Sequence, residues 1–129
     1  MRYEILENRV IITGYDSQGL SVEIPEEIEG HAVTELAPYA FSGTNIEEII
    51  LPKTVERIGR YAFYNCKSLT SITLPDSMIS IDHYAFDGCH RLKNVYYSGT
   101  KERWIDIYIR IGNDSLTSAT ITYNYVIEE

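Results

Sequence analysis

The 129-residue sequence has two cysteines, too few for a disulfide scaffold. It is short of positive charge: 11 Lys and Arg face 19 Asp and Glu, for a net charge of -8. Nucleic-acid binding rests on neutralising phosphates with Lys and Arg, so this balance argues against a nucleic-acid partner. No apolar run approaches the roughly 20 residues that cross a bilayer, and no membrane span is expected. Met1-Arg2 leads straight into polar sequence with no signal peptide in view, which for the chain as it stands points to the cytoplasm. Catalytic combinations are missing too. There is no glycine-rich phosphate loop and no arguable Ser-His-Asp or Cys-His set. His31, His83 and His90 occupy different parts of different coils, and nothing places two of them with a nearby Cys or carboxylate in ligand spacing. No enzyme activity, cofactor or metal site is expected.

What the chain does have is enough apolar sequence for a core. It is 44% hydrophobic and 12% aromatic, and a chain of this length buries roughly two-thirds of its unfolded surface. One domain over residues 1–129 follows. The charge imbalance is local. Residues 1–48 hold the ten acids Glu4, Glu7, Asp16, Glu23, Glu26, Glu27, Glu29, Glu35, Glu47 and Glu48 against Arg2 and Arg9, whereas acids and bases balance over residues 49–129. Such an end either solubilises the molecule or steers a basic partner toward it.

An internal repeat organises the rest. Ala-Phe recurs at Ala40-Phe41, Ala62-Phe63 and Ala85-Phe86, at spacings of 22 and 23. Leu51-Pro52 and Leu74-Pro75 are 23 apart, as are Cys66 and Cys89, and Ile24-Pro25 plays the same part upstream. Ile46-x-x-Ile49-x-Leu51, Leu69-x-x-Ile72-x-Leu74 and Leu92-x-x-Val95-x-Tyr97 share one apolar spacing. Their last three positions alternate inward and outward, as a strand with one buried face does. A period of 22–23 lies within the leucine-rich repeat range. A unit this short cannot bury its own apolar face, so units stack into a continuous core.

With these residues in place, the chain resembles the BspA-type leucine-rich repeat family, whose units resemble L-P-x-x-(V/L)-x-x-I-G-x-x-A-F-x-x-C-x-x-L-x-x-I. Ile58-Gly59-Arg60-Tyr61-Ala62-Phe63-Tyr64-Asn65-Cys66 matches closely. Ile81-Asp82 departs at the glycine, and the first unit has Leu36-Ala37 and Thr44 where Ile-Gly and Cys are usual. The segments YEILENRVIITGY and VEIPEEIEGHAVTEL resemble the family's lead-in, and VYYSGTKERWIDI with ATITYNY its terminal segment, so nearly the whole chain is covered. The resemblance implies a right-handed solenoid and a role in binding proteins or cell surfaces rather than catalysis. It also implies a secreted or surface location, against the cytoplasmic one.

The expected fold is a β-rich solenoid of about five short coils. Strands over 22–24, 49–51, 72–74, 95–97 and 121–123 form one parallel sheet, the first three ended by a proline that has no amide to donate. Residues 1–21 form a hairpin-like N-terminal cap, with Glu7-Asn8-Arg9 between Tyr3–Leu6 and Val10–Thr13. Residues 22–97 are repeats and 98–129 a C-terminal cap, with a short helix within 100–107 packing Trp104 over the last coil. Asn113-Asp114 then turns the chain into its final strand. On the return side Val33–Leu36, Val55–Ile58 and Ile79–Ile81 read as extended pieces, each followed by a Tyr-Ala-Phe turn or short helix.

Three surfaces are candidates for a partner. Tyr39, Tyr61 and Tyr84 form a ladder that either stiffens the outside or presents an interface. On the concave sheet face Glu23, Ile50, Thr73, Tyr96 and Thr122 point outward, with Ile50 and Tyr96 as apolar points. The first unit carries five extra residues around 26–32, and an insertion in a solenoid maps to a loop on one face. Glu26, Glu27, Glu29 and Glu35 in and beside it, with Glu23 and Glu48, form a candidate contact for a basic protein or surface polymer. The alternative is a spacer domain with no dedicated ligand. A monomer is expected. Phe41, Phe63 and Phe86 are expected in the core, and Cys66 and Cys89 as stacked, buried, reduced thiols. Asn113-Asp114-Ser115 fits a glycosylation sequon by letter and reads as a turn.

Overall fold

The computed structural model describes residues 1–16 and 18–126. Five strands carry the repeated L-x-L register: β3 (Ser21–Glu23), β6 (Glu48–Ile50), β8 (Ser71–Leu74), β10 (Asn94–Tyr97) and β12 (Thr120–Thr122). They are parallel neighbours in the order β3-β6-β8-β10-β12. Val22, Ile49, Ile72, Val95 and Ile121 lie in one row across them, and their inward side is what the period-2 spacing encodes.

The return side is more ordered than extended pieces imply. The further strands are β1 (Arg2–Leu6), β2 (Arg9–Gly14), β4 (Glu27–Ile28), β5 (His31–Leu36), β7 (Arg57–Ile58), β9 (Ser80–Ile81) and β11 (Tyr108–Ile109). They form a second, seven-stranded sheet in the order β1-β2-β5-β7-β9-β11, with β4 beside β5. The expected five-stranded parallel sheet is present, and the return side adds a second, mixed sheet to it. Ile12, Leu36, Ile58, Ile81 and Ile109 are the second sheet's matching row.

Between the sheets runs a column of rings. Phe41 and Phe63 stack at 5.4 Å, Phe63 and Phe86 at 4.9 Å, and Tyr15 closes the column against Phe41 at 5.3 Å. All three phenylalanines are fully buried. Cys66 and Cys89 are buried free thiols beside this column. Each donates to the phenylalanine carbonyl of the preceding coil, Cys66 to Phe41 at 3.0 Å and Cys89 to Phe63 at 3.1 Å. Thr44, in the corresponding place of the first unit, donates to the same Phe41 carbonyl at 2.9 Å.

The Tyr-Ala-Phe segments are turns rather than helices. Tyr39, Tyr61 and Tyr84 are left-handed, with φ of 63°, 56° and 56°. Their rings stack at 5.1 and 5.4 Å. Coil follows coil through a backbone ladder: Phe41 N–H donates to the Ala62 carbonyl and Phe63 N–H to the Ala85 carbonyl, both at 2.7 Å.

Both ends differ from the repeat. Arg9 lies within β2, so the first turn has two residues, Glu7 and Asn8, rather than three. The five-residue insertion is not an open loop. It folds as a hairpin in which Glu27 pairs with Ala32 and Ile28 with His31, around Glu29-Gly30 at φ of 54° and 80°. At the other end α1 (Lys101–Asp106) is capped by the Thr100 hydroxyl, which accepts from Arg103 N–H at 3.2 Å. Its Trp104 packs edge-on against Tyr97 at 5.1 Å. Residues 108–114 then form another return segment, so the last part of the chain extends both sheets. A second short helix, α2 (Asp114–Thr117), brings Leu116 into the core before β12.

Candidate functional site

The outer face of the five-stranded sheet carries Glu23, Ile50, Thr73, Tyr96 and Thr122 in one row, because these residues share a register. One row away lie Ser21, Glu48, Ser71, Asn94 and Thr120. The row is not evenly open. Thr73, between Ile50 and Tyr96, is only 5% exposed. Tyr96 is covered in part by Tyr125, whose ring lies 4.8 Å away.

Glu23 at one end of the row and Thr122 at the other are exposed. A groove of about 480 Å³ runs where the strands meet the turns after them. Pro25, Pro52 and Pro75 form its apolar wall with Ile24, Ile50 and Leu51, and Glu23, Glu26, Lys53 and Ser98 supply its polar groups. The prolines occur here because each ends a strand at the same place in successive coils. Lys53 Nζ lies 3.8 Å from Glu26, with both side chains largely solvated. Glu48 shares the sheet face and accepts from the Ser21 hydroxyl at 2.5 Å.

The structure divides the acids that the sequence groups together. Glu23, Glu26 and Ile50 meet at the groove, with Glu48 on the same face. Glu27, Glu29 and Glu35 belong to the other sheet, because the insertion pairs with β5. Glu29 accepts from the Tyr3 hydroxyl at 2.6 Å, and that hydrogen bond raises the Tyr3 pKa. Glu35 lies 3.5 Å from Arg9 and opposite Arg57 in the ladder.

A second depression of about 410 Å³ lies on the seven-stranded sheet, lined by Glu35, Arg57, Asp82, Tyr108 and Arg110 among others. Sequence reasoning misses it. The signal is the row Ile58, Ile81, Ile109, which carries the neighbouring residues to one place. Arg110 lies 4.1 Å over the Tyr108 ring. Asp82 accepts from His83 N–H at 2.7 Å and meets the His83 ring at 2.8 Å. The backbone bond from His83, then its side chain, hold the Asp82 carboxyl below its ordinary pKa. On this surface Glu35 pairs with Arg9 and Asp82 with His83, while Arg57 here and Glu23 in the groove make no ion pair among the described residues.

The tyrosine ladder uses its ring faces on itself, leaving the outer face of Tyr39 open at 52% exposure. Asn113 of the sequon is 2% exposed. Its Oδ1 accepts from Phe86 N–H at 3.0 Å and its Nδ2 donates to the Asp82 and Arg110 carbonyls, each at 2.9 Å. Among the described residues no group of three or more His, Cys, Asp or Glu is placed to hold a metal ion, and no helix is long and apolar enough to cross a membrane.

Comparison with known proteins bears on this architecture. Residues 34–128 match the model of the BspA-type leucine-rich repeat region, in six copies. A leucine-rich repeat protein from Bacteroides capillosus superposes with a TM-score of 0.78 at 26% identity, over 94% of this chain and 91% of its own. A leucine-rich repeat protein from T. pallidum gives 0.71 at 33% identity over 74% of this chain, which spans 50% of that protein. A leucine-rich cell surface protein from Faecalibacterium prausnitzii gives 0.66 at 23% identity, over 74% of this chain and 31% of its own. A comparison with curated proteins finds no match.

Proposed function

The chain belongs to the BspA-type leucine-rich repeat family, and from that premise we propose that it is a non-catalytic module that binds a basic segment of a protein partner in the proline-walled groove. The family and fold are generally non-catalytic. The observation that carries the reading is the meeting of Glu23, Glu26 and Ile50 on one open groove. An apolar wall beside unpaired acid suits a chain that carries Arg or Lys next to an apolar residue. The cell surface is the location the family resemblance implies for such a module.

A spacer role is the second reading. Its support is that Glu26, Glu29 and Glu35 already have partners within the chain: Lys53, Tyr3 and Arg9. The two readings part in a binding series. The protein is tested against short extended peptides that carry Arg beside Leu, against the same peptides with Arg exchanged for Glu, and against a neutral polysaccharide. Binding confined to the basic peptides, slowed by added salt and by the Glu23→Gln/Glu26→Gln variant, supports the groove. Equal binding to all, or to none, supports the spacer.

A further inference from the structure

The β1–β2 hairpin closes the first coil and opens an edge of its own. Leu6 pairs with Arg9 across Glu7-Asn8, whose φ of 50° and 66° mark a two-residue turn. In such a turn the flanking pair exchanges both backbone hydrogen bonds, and bonded and unbonded pairs alternate along the ladder. Leu6–Arg9 and Glu4–Ile11 are the bonded pairs. Tyr3 and Ile5, opposite Ile12 and Val10, therefore turn their N–H and C=O groups away from β2. The far side of β2 agrees in phase, since the Ile12 carbonyl accepts from Ala37 N–H at 2.8 Å. Among the described residues no hydrogen bond reaches the backbone groups of Tyr3 and Ile5.

Side chains follow the same division. Opposed residues share a face, so Tyr3 and Ile5 continue the face of Ile12 and Val10, which are fully buried. Past β2 the Glu29 carboxylate holds the Tyr3 hydroxyl at 2.6 Å, and Tyr3 and Ile5 are each still 38% exposed. Arg2 and Glu4 stand on the opposite face. Edge strands are ordinarily blunted by Lys, Pro, a bulge or a covering segment. β1 carries neither Lys nor Pro, and its one irregularity lies at its start, between Arg2 and Tyr3.

We propose that β1 pairs antiparallel with β1 of a second copy of this chain, Tyr3 opposite Tyr3 on a two-fold axis. This register uses the outward groups of Tyr3 and Ile5 and sets Arg2 opposite Glu4 of the second copy, twice. The tyrosines and isoleucines of both copies then gather on the face that continues the core. Setting Tyr3 opposite Ile5 instead puts Glu4 against Glu4, and like charges directly opposed destabilise a strand pair. Setting Ile5 opposite Ile5 runs into the Glu7-Asn8 turn. The two ends brought together are acidic, but repulsion beyond about 8 Å is screened at physiological ionic strength. β1 belongs to the sheet away from the groove, so this pairing stands apart from the binding reading.

The test is sedimentation equilibrium of the full chain at physiological salt, with Arg2→Glu, Glu4→Arg and the two combined. The native chain should dimerise reversibly, at about 0.1 mM for so small a contact. Either single reversal turns both attractive pairs into like-charge pairs and should weaken the dimer about tenfold or more. The combined variant exchanges the charges and should restore it. That restoration also controls for the Arg2–Asp16 contact at 3.4 Å, which Arg2→Glu removes. A native chain still monomeric at about 1 mM overturns the proposal, including the case in which β1 takes a strand from another protein. So does a dimer that ignores the single reversals, or a combined variant that stays monomeric.

Discussion

Tyr61 holds φ at 56°, a region where a side chain's Cβ crowds the carbonyl that follows and costs roughly 1–2 kcal/mol. Its ring offsets that cost by stacking between Tyr39 and Tyr84. The usual ranking of small residues should therefore invert here. Tyr61→Ala loses the stack and keeps the strain, while Tyr61→Gly loses the stack and sheds the strain. In denaturant unfolding the glycine variant should be the more stable of the two by about 1 kcal/mol; a more stable alanine variant would contradict the account. Ladder spacing was readable from the 22- and 23-residue repeat, but not the left-handed backbone, since nothing about a tyrosine advertises it. Gly112 reveals it in retrospect. It occupies the tyrosine position of the next coil at φ +91°, and an added Cβ would run into the Tyr84 ring. Gly59 has a different reason: a Cβ there would lie 2.6 Å from the Pro38 backbone nitrogen. The thiols make a second prediction at this scale. The hydrogen bond shared with Cys66, and then burial, push the Cys89 thiol far up, and both sulfurs are enclosed. Thiol titration should find little reactivity in the folded chain and two thiols after unfolding without reductant. Finding none would establish a disulfide and an oxidising compartment.

At the scale of elements, the repeat ladder has to stop somewhere, and Asn113 stops it. Phe41 and Phe63 donate to alanine carbonyls of the next coil, but Phe86 donates to the Asn113 side chain. Asn113→Ala would leave that buried N–H unpaired and take one donor each from the Asp82 and Arg110 carbonyls. It should cost roughly 2–4 kcal/mol in denaturant unfolding, and a loss under about 1 kcal/mol would mean that the ladder ends another way. The five L-x-L strands were legible within one residue, because one buried face imposes alternation. The second sheet was not, because strands as short as Arg57–Ile58 and Ser80–Ile81 show no period. The last return segment was hidden for another reason. Gly112-Asn113-Asp114 replaces Tyr-Ala-Phe there, so letter matching fails where backbone geometry continues. The insertion was located correctly by length, yet its hairpin pairing carries Glu27 and Glu29 to the other sheet.

For the whole molecule, the acidic end was legible from composition alone, but only the fold distinguishes its parts. Glu29 and Glu35 serve internal contacts with Tyr3 and Arg9, whereas Glu23 faces the groove beside Ile50 and the three prolines. On the proposed binding reading, the net charge of -8 would steer a basic partner over distance and the groove would select at contact. The central claim is therefore local. Its most direct measurement is a backbone amide NMR titration of the full chain with an extended peptide carrying Arg beside Leu. The account predicts shifts confined to the groove, at Glu23, Ile24, Glu26, Ile50, Leu51 and Lys53, that saturate and are lost with Glu23→Gln/Glu26→Gln. Shifts spread over every acidic residue of the N-terminal end, or centred on the seven-stranded sheet around Glu35 and Arg57, would contradict it.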